Sequence, residues 1–476
     1  MIRLGKIKNI HFVGIGGIGM SGIAEVLINL GYSVSGSDRS LSDVTSHLAQ
    51  IGARISEGHS AEHLKDADVL VYSSAVTTDN PEVQEAIKRK IPVIKRAEML
   101  AELMRLKFGI AIAGTHGKTT TTSLTGAVLT EGKLDPTLII GGKVRSLKTN
   151  AKLGDSEFLV AEADEFDKSF LKLIPTIAVI TNVESDHLDC YENLEDLKNS
   201  FVEFANKVPF YGRVIVCLDN PGVQEIFSGI QRSITTFGFN KQADIQASAV
   251  KFGGSGVSFD VTYMKYKLGR LQLKIPGEHN VLNALAAIGV GLELDIPFEK
   301  IKAGLEDFSG VDRRFEIKGT FDDIVVVDDY AHHPTEIAAT LNGARSGWPQ
   351  RRIVAVFQPH LYSRTRDFYR EFARAFFQVD VLVVTEVYPA REKPIPGVDG
   401  KLIADTAQAL GHREVHFVPD KNKLPEYVLP LLQPGDMVIT IGAGDVWKCS
   451  QALAEMLNRK SGNSNAEKKA ATNNKR

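Results

Sequence analysis

Residues 107 to 123 read KFGIAIAGTHGKTTTTS, and this stretch constrains the fold more than any other. An apolar run ends at Gly114, the chain turns through Thr115, His116 and Gly117, and Lys118, Thr119 and Thr120 open a helix predicted to end near Gly132. A strand feeding a glycine turn and then a helix start presents unpaired N–H groups with the positive end of the helix dipole behind them, which is a cradle for phosphate. Lys118 is placed to reach terminal phosphates, and the Thr119 hydroxyl to reach a magnesium ion. The standard pattern carries one more glycine, where this chain has Ile112. The strand-turn-helix context of the Gly-Lys-Thr core predicts a nucleoside triphosphate site.

A second glycine turn lies upstream. Residues 9 to 38 give an apolar strand, then Gly14-x-Gly16-x-x-Gly19, a helix from about Met20 to Leu30, and a second strand closing on Asp38. This is a dinucleotide fingerprint with its acidic residue in the expected place. The glycines, with Gly17 and Ile18 between them, specify close approach to a diphosphate, and NAD and a UDP-linked ligand satisfy them equally. A dehydrogenase would use this turn and leave the other idle. The buried run DVLVYSS ends in Ser73 and Ser74, which serve either as turn residues before Asn80-Pro81 or as ligand contacts at the carboxyl edge of a parallel sheet.

Two further apolar runs end in acidic residues. FLVAE leads into Ala163-Asp164-Glu165, and IAVIT leads into Asn182, Glu184, Asp186, His187 and Asp189. Parallel strands bring such ends to one edge, so Glu162 and His187, together with Thr119, are predicted to hold magnesium on the phosphates. Residues 256 to 276 alternate as a hairpin does, and Asn280 is placed to cap the next helix or to bond a nucleobase, with Asn283 a turn farther on. After Gly310 a third α/β unit is predicted, whose strand ends carry Asp328, Asp329, Tyr330, His332, His333, His360, Arg364, Tyr388, Arg391 and Asp445. The side chains of His332 and His333 are expected to diverge, as adjacent residues do on an extended or turning backbone.

The length of 476 residues exceeds what one core usually supports. The net charge of -2 hides six Lys or Arg and one Glu in residues 459 to 476, which leaves the rest near -7 and argues against a nucleic-acid partner held by charge. That tail reads as disordered. Cys190, Cys217 and Cys449 are far apart and form no Cys-x-x-Cys, so neither a disulfide framework nor a cysteine zinc site is expected. No run reaches the length of a membrane span and no leader is evident, so a cytoplasmic protein is expected.

Taken together, GIGGIGMSGIA, GSD, SSAV, GTHGKTTTT, AEADEFDKSF, TNVESDHLDCY, GEHNVLNALAA, GVDRRFE, DDYAHHPTE, FQPHLYSRT and VYPAREKPIPGVDG closely resemble the Mur ligases, in the family's order and over all but the tail. The resemblance implies an α/β protein of three domains. Residues 1–106 would form a Rossmann-like domain for the UDP-sugar, 107–311 a central ATPase of phosphate-loop type with a mixed sheet, and 312–458 a Rossmann-like domain that closes over the amino acid.

It implies an ATP-dependent ligase that joins L-alanine to UDP-N-acetylmuramate through an acyl phosphate, with the ligase that recycles murein peptides onto the same sugar nucleotide as the alternative. ATP and magnesium are the implied cofactors, without nucleic acid or membrane insertion, in a monomer or weak homodimer. Gly14 to Gly19, Asp38, Ser73 and Ser74 would then hold UDP. Gly114 to Thr120 would hold ATP phosphates, Asn280 and Asn283 the adenine, Arg314 a phosphate and Asp329 the ribose. Tyr330, His332, His360 and Arg364 match positions on the muramate and alanine side, where Arg364 could clamp the amino acid's carboxylate and His332 or His360 could orient its amine or accept its proton. With Lys118 and His187 these would be the catalytic groups. No lysine stands in a motif for the carbamylated lysine of many Mur ligases.

Overall fold

The computed structural model describes residues 4–73, 75–145, 149–184, 190–390 and 392–473. Three parallel or mixed sheets account for the strands. The first is built from β1 (Asn9–Val13), α1 (Ile18–Asn29), β2 (Ser33–Asp38), α2 (Asp43–Gln50), β3 (Arg54–Glu57), β4 (Val69–Tyr72), α3 (Pro81–Lys88), β5 (Val93–Lys95) and α4 (Arg96–Arg105). Its strand order is β3-β2-β1-β4-β5, all parallel. The order reverses beside β1, so the turn after β1 opens at the crevice where such sheets take ligands.

The second sheet starts with β6 (Phe108–Ala113), α5 (Lys118–Glu131), β7 (Thr137–Val144), β8 (Thr149–Lys152), β9 (Phe158–Glu162), β10 (Ile177–Ile180), α6 (Leu194–Asn206), β11 (Arg213–Cys217), α7 (Pro221–Ile226) and β12 (Ile234–Gly238). It ends with β13 (Ile245–Gly253), β14 (Gly256–Tyr263) and β15 (Tyr266–Leu273), and is followed by α8 (Glu278–Glu293) and α9 (Phe298–Asp307). β6 lies between β9 and β10, parallel to both, with Ile112 opposite Glu162 and Val179. β14 and β15 form the expected hairpin, whose two-residue turn puts Met264 and Lys265 at positive φ.

The third sheet contains β16 (Glu316–Phe321), β17 (Ile324–Asp329), α10 (Pro334–Gly347), β18 (Arg352–Phe357), α11 (Tyr362–Ala375), β19 (Val381–Val384), α12 (Gly400–Ala409), β20 (Val415–Phe417), α13 (Leu424–Val428), β21 (Asp436–Ile441) and α14 (Trp447–Asn473). Its order is β16-β17-β21-β18-β19-β20, parallel apart from β16 at one edge. α14 runs through most of the segment expected to be disordered. Ala, Lys and Glu have good helix propensity and the segment has no proline.

The chain forms two compact units, one of residues 1–250, 258–273 and 280–309, the other of 251–257, 274–279 and 310–476. The first unit holds two sheets because they share one apolar core, in which Phe12, Ile23 and Leu27 join Leu159, Ala161 and Phe170. α1 packs on β7 and β8, and Asn150 Nδ2 donates to the Ile18 carbonyl at 2.6 Å. Cys217 and Cys449 are buried, their thiols pushed up to about 11 and about 12 by desolvation, whereas Cys190 is partly exposed.

Candidate active site

β6 delivers the chain to Gly114, and the turn that follows is fixed by residues after β10. Gly114 has φ of 135°, and a Cβ there would lie 2.0 Å from Thr181 Oγ1; Gly117 has φ of 82°, and its Cβ would lie 2.6 Å from Asn283 Oδ1. Both positions therefore demand glycine. His116 N donates to Asn182 Oδ1 at 2.7 Å, and the His116 carbonyl accepts from Thr181 Oγ1 at 2.6 Å and Asn182 Nδ2 at 3.1 Å. The Thr115 hydroxyl accepts from Glu184 N at 2.9 Å. Thr119 and Thr120 are buried in the first turn of α5, which has no acidic residue to compete with an anion for the free N–H groups.

Lys118 Nζ lies across the turn. It donates to the carbonyls of Gly114 at 2.7 Å and Thr115 at 3.1 Å, and to Glu165 Oε2 at 2.8 Å. Burial works against the ammonium, but the carboxylates of Glu165, Asp164 and Glu162 outweigh it and raise its pKa. Glu165 is itself buried, and its backbone carbonyl accepts from the Tyr191 hydroxyl. Asn283 accepts from Thr121 Oγ1 at 3.1 Å and donates to Asn280 Oδ1 at 3.2 Å, so both asparagines lie beside the phosphate turn. Asn280 stands inside the first turn of α8, which begins at Glu278, and is not its cap.

At the first sheet, Gly14 has φ of 79° and Gly16 N donates to Asp38 Oδ2 at 2.8 Å. Asp38 Oδ1 accepts from Arg39 N at 2.8 Å, so both oxygens of this carboxylate are engaged in shaping the turn. Gly17 caps α1 without a side-chain bond, and Ile18 and Gly19 open a first turn with no acidic residue. Ser73 Oγ accepts from Ala75 N at 3.1 Å. Ser74 lies outside the described residues, as do Asp186, His187, Asp189 and Arg391.

In the second unit, β17 ends at Asp329, whose carboxylate accepts from Phe315 N and Ala331 N, each at 2.8 Å. Burial pushes its pKa up to about 6 even with Arg314 nearby. Arg314 stacks over the Tyr330 ring at 5.2 Å and lies 3.7 Å from Glu336. His332 Nδ1 is 3.1 Å from the same Glu336, its ring meets that of His360 at 5.9 Å, and His360 stacks on Tyr388 at 5.7 Å. The predicted residues Tyr330, His332, His360 and Tyr388 thus form one chain of rings, and Arg364 is buried in the first turn of α11. His333 points elsewhere, as expected, and caps α10.

Family models cover the chain in three consecutive pieces. They are the Mur ligase family catalytic domain over residues 9–108, the Mur ligase middle domain over 112–291 and the Mur ligase glutamate ligase domain over 313–444. The chain belongs to the Mur ligase family. It is 55% identical to UDP-N-acetylmuramate--L-alanine ligase of Geobacter sulfurreducens, over 95% of this chain and 98% of that protein, and 55% identical to the Salinibacter ruber protein of the same name, over 96% and 97%. Among solved structures it is similar to UDP-N-acetylmuramate-alanine ligase of Thermotoga maritima, with a TM-score of 0.82, 32% identity and coverage of 95% and 100%. A murein peptide ligase of Psychrobacter arcticus gives a TM-score of 0.70 at 25% identity, over 94% and 98%.

In this Mur ligase the Thr119 hydroxyl and the Glu162 carboxylate are oxygen donors of the chemical type a hard cation such as magnesium takes. A Cβ at Gly141 would lie 2.6 Å from Glu162 Oε2, so the glycine lets the carboxylate approach the backbone, where Oε1 accepts from Gly141 N at 2.5 Å. Among the described residues no group of three or more His, Cys, Asp or Glu could hold a metal, and a few protein oxygens plus phosphate and water do not require one. Sequence reading missed Glu165, Asn182 and Glu336 as partners of the predicted groups. Glu336 carries a local signal, four residues beyond His332 on a helix start. The pairing of Glu165 with Lys118 spans 47 positions and carries none.

Proposed function

We infer that this Mur ligase uses ATP to join L-alanine to UDP-N-acetylmuramate. The observation that carries the reading is a chain with two separate glycine cradles, 14–19 and 114–117, matched nearly end to end by curated alanine ligases at 55% identity. The higher identity and TM-score of the alanine ligase over the murein peptide ligase favour it against the recycling alternative.

A carboxylate does not condense with an amine in neutral water, because oxide is a poor leaving group. Activation comes first, by attack of the sugar's lactyl carboxylate on the γ-phosphorus of ATP, which gives an acyl phosphate and ADP. Lys118 and the N-terminus of α5 offset the charge of anion meeting anion. Magnesium, proposed to be held by Thr119 and Glu162, with His187 as a further ligand, would neutralise phosphate charge. Asn280 and Asn283 are proposed for the adenine, Arg314 for a phosphate and Asp329 for the ribose.

In the second step the deprotonated alanine amine attacks the acyl carbon and phosphate leaves. Arg364 is proposed to clamp the alanine carboxylate and Tyr330 to line the same side. His332 or His360 is proposed to take the amine proton, with Glu336 holding His332 in place. Residues 1–106, with Gly14 to Gly19, Asp38, Ser73 and Ser74, are proposed to bind the UDP-sugar in the cytoplasm.

The test is phosphate release from ATP with UDP-N-acetylmuramate, scanned across amino acids and the murein tripeptide. L-Alanine is expected to give the highest kcat/KM. Turnover with the tripeptide and none with alanine would establish the recycling activity instead.

A further inference from the structure

Beneath the first glycine turn lies a cluster of ionisable groups that the reaction does not use. Glu82, second residue of α3, is fully buried, and three imidazoles surround its carboxylate. His63 Nδ1 is 2.6 Å from Oε1, His59 Nδ1 is 3.4 Å from Oε2, and His11 Nε2 is 3.7 Å from Oε1. Ser37 Oγ donates to Oε2 at 2.5 Å and lies 2.9 Å from His59 Nδ1, while Ser60 N reaches Oε1 at 3.4 Å. These partners come from β1, β2 and the segment after β3, so one carboxylate on α3 ties three parts of the sheet edge to its own helix.

A buried charge of this kind is a costly way to fill space, and apolar side chains of similar volume would pack with less desolvation. What the cluster supplies is position. The Ser37 carbonyl accepts from Gly14 N at 2.8 Å and from Ile15 N at 3.1 Å, and its neighbour Asp38 accepts from Gly16 N. Ser37 therefore carries the glycine turn on its main chain while its side chain is held by Glu82. We propose that Glu82 is a positioning residue for the sugar-nucleotide site: it fixes Ser37, and through Ser37 the curvature of Gly14 to Gly16, without touching the ligand. This rests on the reading of that turn as the UDP-sugar cradle.

The experiment is calorimetric binding of UDP-N-acetylmuramate without ATP, beside steady-state kinetics in both substrates. Glu82→Gln keeps the shape and removes the charge that the imidazoles address. It is expected to weaken UDP-sugar binding about tenfold, in Kd and in KM, with the KM for ATP and kcat at saturation within about twofold. Ser37→Ala and His63→Asn are expected to shift the same parameter in the same direction, and they keep the question open to measurement should Glu82→Gln fold poorly. An unchanged Kd, or equal loss for both substrates, overturns the proposal. Gly16→Ala, whose Cβ would lie 2.8 Å from Asp38 Oδ2, separates the two ideas. If that variant binds normally, the cradle reading itself fails; if it loses binding and Glu82→Gln does not, only the positioning role fails.

Discussion

Lys118 is a useful place to see what a sequence conceals at the scale of a residue. The role proposed for it, a cation facing phosphate, follows from the Gly-Lys-Thr core, yet its buried partner, Glu165, is invisible there because neither spacing nor periodicity links the two. In the fold, Glu165 receives Nζ at 2.8 Å while two loop carbonyls hold the same ammonium. Removing one partner of a buried ion pair is costly, so Glu165→Gln is expected to lower kcat/KM for ATP by about 10–100-fold, with UDP-sugar affinity within about twofold. Steady-state kinetics and calorimetry on the variant check this, and an unaltered ATP dependence would remove Glu165 from the account. Asp38 teaches a related lesson. Its place at the end of β2 was legible, but not its bond to Gly16 N, which makes it part of the turn's own architecture.

At the scale of elements, the departure from the usual phosphate-loop pattern has a physical explanation. Ile112 is fully buried in β6 between β9 and β10, so the chain is still strand where the pattern would place a glycine, and the turn begins at Gly114. The apolar strand, the turn and the helix start were all readable as local signals. The clamp from Thr181, Asn182 and Glu184 was not, because it comes from residues about 66 positions away. Gly114→Ala would push Cβ into Thr181 Oγ1 at positive φ, and positive φ alone disfavours any side chain. The expected result is loss of ATP hydrolysis by at least about 100-fold and a lower Tm, since the substitution costs roughly 1–3 kcal/mol in backbone strain before the clash is counted. Phosphate-release assays and thermal unfolding check both.

At the scale of the whole molecule, three sheets were expected, but the sharing of one core by the first two was not. Alternation and apolar runs show which residues turn inward, and they do not say which sheet the inward face meets. Acid stability is also a property of the whole chain, and two neighbours of Arg314 pull it in opposite directions. Burial and the Arg314 guanidinium push His279 down to about 4, whereas burial pushes Asp329 up to about 6. As pH falls from 6.5 toward 4, the unfolded chain protonates His279 first and native stability is lost; as pH falls from 6 toward 3.8, the native chain protonates Asp329 first and stability is regained. His279→Leu is therefore expected to lose less stability than the parent between pH 6.5 and 4, by at most roughly 3 kcal/mol, and Asp329→Asn to lose more. Denaturant titrations across that range check the sign of each.

The distribution of thiols has a practical consequence for anyone designing covalent ligands. With Cys217 and Cys449 enclosed and reluctant to ionise, Cys190 is the least buried of the three thiols an electrophile could meet. The next residue, Tyr191, holds the backbone of the glutamate that steers Lys118. A warhead captured there would be tethered next to Tyr191, beside the groups proposed to handle ATP and apart from the turn proposed to hold the sugar nucleotide.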